Sequence, residues 1–193
     1  MTIPPIPNAY WLPGEQVCAG EYPGHWVERS ARERIGRLLD AGIRSFLDLT
    51  EETDPLEPYD GILLAEAEVR GIDVVYLRLA VRDMDVPPPA HMSRILDHID
   101  AELAAGRKVY LHCWGGIGRT GTAVGCHLVR TGQTGAEALA TIARLWQGVS
   151  EAKRRDFPES PQTRAQRAFV EGWIERESRE QRSDRDGNRA AQP

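Results

Sequence analysis

Apolar residues recur along this chain in two alternating periods. Between 26 and 41, Val27, Ala31, Ile35, Leu38 and Leu39 fall on one helical face, and Gly42 supplies a stop. Residues 43–49 are a short apolar run that reads as a buried strand, followed by an acidic loop over 50–59. A short helix ends near Gly71, and Val74, Val75, Tyr76 and Leu77 mark a strand over 73–79. Pro87, Pro88 and Pro89 punctuate a loop over 82–89, after which a helix runs to about Ala105. Residues 108–112 form another short strand and feed a glycine-rich turn that opens a helix. Thr134 and Glu137 form a capping box for a helix reaching Gln147, and a last helix spans Thr163 to about Glu177. Before residue 26 the chain is rich in proline and aromatics and reads as an irregular arm, with one short strand over 16–19.

Strands alternating with helices predict an α/β fold: a single domain with a central, mainly parallel β-sheet flanked by helices. The domain covers residues 1–177. The tail 178–193 mixes arginines and acids and reads as a charged, flexible extension. Ligands of such sheets bind beyond the carboxyl ends of the strands. The loops after Leu49, Leu79 and His112 should therefore share one edge.

The net charge of -5 argues against nucleic acid or an anionic membrane as partner. Cys18, Cys113 and Cys126 are too few for a disulfide framework, and no metal-ligand pattern surrounds them. The start of the chain lacks the basic and apolar stretches of a signal peptide, so a cytoplasmic protein without metal or cofactor is expected.

The segment from His112 to Gly121 carries the most chemistry. Gly115, Gly116 and Gly118 let backbone N–H groups converge on an anion, and the helix start near Arg119 adds its positive dipole end. Cys113 faces that cup, which favours the nucleophilic thiolate. Arg119 lies six positions later, so its guanidinium can fold back and grip two phosphoryl oxygens.

The pattern His-Cys-x-x-Gly-x-Gly-Arg-Thr-Gly resembles the signature of the cysteine-based protein tyrosine phosphatase superfamily, with no position missing. The likeness extends over roughly residues 8–177 and is greatest to the compact dual-specificity branch, in a bacterial version. It implies that Cys113 forms a phosphocysteine and that Arg119 clamps the phosphate. It implies further that Thr120 hydrogen-bonds the sulfur and that His112 braces the loop. Trp114, Gly115, Gly116, Ile117 and Gly118 would supply the rest of the phosphate cradle. The family places an acidic residue four positions before a proline, which selects Asp83 of Asp83-Met84-Asp85-Val86-Pro87, with Asp85 as competitor. Gln162-Thr163-Arg164-Ala165-Gln166 resembles the glutamine loop of the tyrosine-specific branch, where the first glutamine positions the hydrolytic water. The expected substrate is a phosphorylated protein or peptide.

Competing readings follow from the same residues. Gly116-x-Gly118-x-x-Gly121 matches a dinucleotide fingerprint, but helices follow it where a strand bearing an acid is required. Phosphoinositide and RNA 5′-phosphatases of the superfamily are disfavoured by the uncharged loop interior, the acidic 50–54 segment and the net charge. A non-catalytic phosphate-binding module would be expected to lose the cysteine or the acid, and both are present. Cys126 and Cys18 read as core residues. Gln162 and Gln166 could be only an exposed helix start, and Lys153, Arg154 and Arg155 only a solvated charge run.

Overall fold

Buried side chains alternate along the strand Lys108–His112 (β5), so both faces of the sheet must be covered. Val109 and Leu111 enter one core and Tyr110 the other. The computed structural model describes residues 2–174. The remaining strands are β1 (Tyr10–Trp11), β2 (Val17–Gly20), β3 (Ile43–Asp48) and β4 (Val75–Arg78), in the order β1-β2-β5-β3-β4. β2, β5, β3 and β4 are parallel, and β1 pairs antiparallel at one edge.

Helices α1 (Glu28–Asp40) and α2 (Asp60–Arg70) bury Ile35, Leu38, Leu39 and Leu63 against Phe46 and Tyr110 on one face. Helices α3 (Pro89–Ala104), α4 (Gly118–Arg130), α5 (Gly135–Trp146) and α7 (Arg164–Glu171) cover the other, and α6 (Glu151–Asp156) lies outside both cores. α4 is buried at every position from Gly118 to Leu128, as a helix enclosed by α3, α5 and α7 requires. Truncating Trp146, whose ring is buried where α5 meets the sheet, would cost about 3–5 kcal/mol.

The α/β fold, the parallel sheet and the capping box of α5 agree with the sequence reading. Three local differences have physical causes. β1 is only two residues long, too short to show a period in what reads as an irregular arm. α6 buries none of its residues, so it has no apolar stripe to detect; Ser150 caps it by accepting from Lys153 N–H at 3.3 Å. The last helix stops at Glu171 rather than near 177, with Gly172 as its C-cap. The remainder of that predicted helix and the tail 178–193 lie outside the described residues. Cys18 and Cys126 are core residues, one on each face of the sheet. Among the described residues no helix is long and apolar enough to cross a membrane.

Candidate active site

The carboxyl ends of β3, β4 and β5 are tied beyond the regular ladder. Leu49 N–H donates to His112 carbonyl at 2.9 Å, Leu79 N–H to Asp48 carbonyl at 2.9 Å, and Val81 N–H to Leu49 carbonyl at 3.0 Å. The three following loops thereby converge, as the parallel topology predicts. At their centre lies a pocket of about 310 Å³ whose lining includes Cys113, Asp83, Gly115, Gly118 and Gln162. Cys113 lines this pocket while being only 3% exposed.

The loop from Cys113 to Gly118 is held from behind. Trp114 carbonyl accepts from Tyr22 N–H at 2.9 Å, and Ile117 carbonyl accepts from Ser160 Oγ at 2.8 Å. These carbonyls are thus engaged by the scaffold, while the first turn of α4 leaves its N–H groups without intrahelical partners. Gly116 has φ +68°, and a Cβ there would run into the Gly20 carbonyl group. Trp114 supplies its backbone to the loop, and its side chain stands at the rim. Ile117 is buried and precedes α4 as its N-cap.

His112 is fully buried and hydrogen-bonded on both ring nitrogens. Its Nδ1 faces the Cys113 carbonyl at 3.3 Å, an acceptor, so Nε2 accepts from Tyr59 Oη at 2.7 Å. Desolvation pushes the imidazolium pKa below its ordinary value even though Asp48 lies 3.8 Å away and favours the charge. Asp48 itself is fully buried. Burial opposes its charge, but His112 and hydrogen bonds from Thr50 N–H, Thr50 Oγ1 and Tyr76 Oη hold its carboxyl below the usual range.

Arg119 is 2% exposed. Its Nη1 donates to Asp54 Oδ2 at 2.8 Å and to Val81 carbonyl at 3.2 Å, and its Nη2 lies 3.2 Å from Asp83 Oδ1. Its Nε is buried with no hydrogen-bond partner among the described residues, a donor available to an anion. The guanidinium therefore reaches across to the loops after β3 and β4 while its Nε stays unpartnered. Thr120 Oγ1 is buried and makes no hydrogen bond, so the bond to sulfur that the resemblance implies is not formed in this structure.

Asp83 lines the pocket, whereas Asp85 turns into its own loop. Asp85 Oδ1 accepts from Val86 N–H at 2.8 Å. Gln162 lines the pocket as well. Gln166 does not, and it is not an exposed helix start either. It is fully buried, accepts from Thr163 N–H at 3.0 Å and donates to Asp85 carbonyl at 3.1 Å, which ties α7 to the aspartate loop. A Cβ at Gly118 would meet the Gln166 amide at 2.8 Å, so glycine is needed there for that packing.

Several participants carry no sequence signal of their own. Asp54 meets Arg119, and Glu51 accepts from Asp83 N–H at 3.3 Å; both belong to an acidic stretch legible only as composition. Lys153 lines the pocket and pairs with Glu21 at 2.8 Å instead of facing solvent as part of a charge run. Phe157 joins it there, its carbonyl fixed by Trp146 Nε1 at 2.9 Å. Among the described residues no group of three or more metal-ligating side chains is placed to hold an ion.

A family model described as Tc-R-P, polymorphic toxin system, DSP-PTPase phosphatase, matches residues 22–133. "Putative tyrosine phosphatase 067L" of Invertebrate iridescent virus 3 is 25% identical over 178 residues, which span 86% of this chain and 65% of the viral protein. The chain thus spans less than two thirds of that curated relative. The crystal structure of Tk-PTP in the active form superposes with a TM-score of 0.61 at 25% identity, over 87% of this chain and 99% of that one. TpbA of P. aeruginosa in complex with pTyr has a TM-score of 0.62 at 19% identity, over 99% of this chain and 93% of that one, a likeness of fold.

Proposed function

Because the chain belongs to the DSP-PTPase phosphatase family of polymorphic toxin systems, we propose that it is a cysteine-dependent phosphatase acting on phosphorylated proteins. The observation that carries this reading is the cleft lined by Cys113 and the Asp83 carboxylate, with the buried Arg119 guanidinium paired to Asp83 and its Nε left without a hydrogen-bond partner. In the first step Cys113 thiolate attacks phosphorus in line, and the P–O bond breaks as Asp83 protonates the leaving oxygen. The loop N–H groups and Arg119 hold the equatorial oxygens. In the second step Asp83 takes a proton from a water held by Gln162, and that water displaces the thiolate to release phosphate. Splitting the displacement in this way replaces one slow hydrolysis with two easier steps.

A protein substrate is supported by the charge around the cleft. The loop interior at Trp114, Gly115, Gly116 and Ile117 is uncharged, Asp54 and Asp83 pair with Arg119, and Glu51 accepts from Asp83 N–H. A polyanionic headgroup would meet repulsion there, while a single phosphate reaching the N–H cup would not.

The deciding experiment compares turnover of p-nitrophenyl phosphate, a phosphotyrosyl peptide, a phosphothreonyl peptide and a phosphoinositide by the protein and by Cys113→Ser. Turnover that survives a chelator, yields to vanadate and disappears in Cys113→Ser is expected. Undiminished activity in Cys113→Ser refutes the mechanism, and a higher kcat/KM on the phosphoinositide refutes the substrate class.

A further inference from the structure

A second cleft of about 450 Å³ lies beside the Cys113 pocket and shares Trp114 and Gly115 with it. We propose that this cleft is a substrate subsite for an aromatic or large aliphatic side chain close to the phosphorylated residue. The inference rests on the phosphatase reading above and extends it to specificity.

The recognition surface combines exposed aromatic area with polar and charged groups. Trp26 is 81% exposed and Trp114 is 45% exposed, and Tyr22, Pro55 and Leu56 add to the apolar lining. Exposed tryptophan is large, rigid contact area that costs little entropy to use. The walls are also fixed in place. Val27 N–H donates to His25 Nδ1 at 2.9 Å, and the His25 ring stacks on Trp26 at 5.4 Å between centroids. Across the cleft, Leu56 N–H donates to Asp54 carbonyl at 2.7 Å, and Tyr22 Oη donates to Glu57 carbonyl at 2.9 Å.

Charge decides the class of occupant. The cleft contains Arg34, which pairs with Glu21 at 3.5 Å, while the same carboxylate takes Lys153 at 2.8 Å. Glu57 at the rim offsets the second cation. Lys153 belongs to the lining of the Cys113 pocket, but through Glu21 it enters the same charge cluster. Arg34 and Lys153 together balance Glu21 and Glu57, so a basic or an acidic side chain gains little from the local field. Burial of apolar area against Trp26, Leu56 and Trp114 is the contribution that remains. Trp114 lines both clefts, so a residue next to one whose phosphate sits on the Cys113 loop is within reach of this wall.

The test is a panel of phosphotyrosyl peptides carrying Phe, Leu, Ala, Lys or Glu at each of the three positions on either side of the phosphotyrosine. The protein and Trp26→Ala are assayed for kcat/KM, with p-nitrophenyl phosphate as the substrate too small to reach the second cleft. Trp26 is exposed and outside every helix and strand, so the variant keeps the fold. At one position Phe or Leu should exceed Ala, Lys and Glu by about tenfold. In Trp26→Ala that difference should shrink to about twofold, with p-nitrophenyl phosphate turnover unchanged. A flat panel, a preference for Lys or Glu, or a preference that survives in Trp26→Ala overturns the subsite while leaving the phosphatase reading intact. Absence of p-nitrophenyl phosphate turnover in the unaltered protein overturns the phosphatase reading and the subsite with it.

Discussion

Arg119 Nη2 lies 3.2 Å from Asp83 Oδ1, joining the first turn of α4 to the loop after β4. The Arg119 side chain is 1% exposed and that of Asp83 54%. Solvent screens such a pair, which is worth on the order of 1 kcal/mol or less, so an arriving phosphate can exchange with Asp83 at small cost. The pair also holds the carboxylate over the pocket, where a leaving oxygen would need its proton.

Asp83→Asn should therefore lower kcat on a phosphopeptide by about 10²–10⁴-fold, and clearly less on p-nitrophenyl phosphate, whose leaving group needs little protonation. Asp85→Asn should change either rate only slightly, because Asp85 faces Val86 N–H and not the pocket. A plot of rate against leaving-group pKa for both variants checks the assignment. Exchange of the two behaviours would make Asp85 the acid.

Asp54→Asn should weaken anion binding more than it slows chemistry on bound substrate. Asp54 is one of the groups that aim the Arg119 guanidinium, at 2.8 Å and with little exposure on either side. Loss of the charge leaves a buried cation less compensated, at a cost of up to about 3–5 kcal/mol in stability. Urea denaturation should show that drop, and the vanadate inhibition constant should rise about tenfold or more. Asp54→Glu should restore part of both, which a bare loss of fold would not explain.

The two glutamines should separate kinetically. Gln162→Ala should slow the second step, giving a burst of released alcohol in stopped-flow assays with p-nitrophenyl phosphate. Gln166→Leu should give no burst. Its loss leaves the Asp85 carbonyl and the Thr163 N–H without partners, about 1–3 kcal/mol each, and loosens the aspartate loop. It should reproduce part of the Asp83→Asn leaving-group effect.

Stability should fall on acidification below about pH 6.5, the ordinary histidine value. Desolvation depresses the pKa of both His112 and His127. The folded state then binds fewer protons than the unfolded chain, so stability is fully present above the unfolded pKa and declines as pH falls toward the folded one. Each histidine contributes up to about 1.4 kcal/mol per pH unit in that window. Thermal melts from pH 8 to 5 should show the slope, and His127→Gln should reduce it. An unchanged slope in that variant would assign the effect to other groups.

The chain by itself determined four of its five strands and the glycine-rich loop after β5. Apolar runs at 43–49 and 108–112 and the helical stripe from Val27 to Leu39 are local patterns, and local periods are readable without knowing what packs on them. Cys113, Arg119 and their glycines are legible for the same reason: strand, turn and helix start are contiguous, so the residues that would bind one anion sit within a single stretch. Asp83 and Gln162 emerged only from family spacing, and tertiary structure brings both to the Cys113 pocket. What folding alone decided are the contacts between segments distant in sequence. Asp54 on Arg119, Gln166 on the Asp85 carbonyl, Lys153 on Glu21 and the paired clefts about Trp114 depend on which loops the parallel sheet gathers at one edge. No period or motif encodes such a contact, because each partner's own segment is satisfied locally and the pairing exists only once both loops are in place.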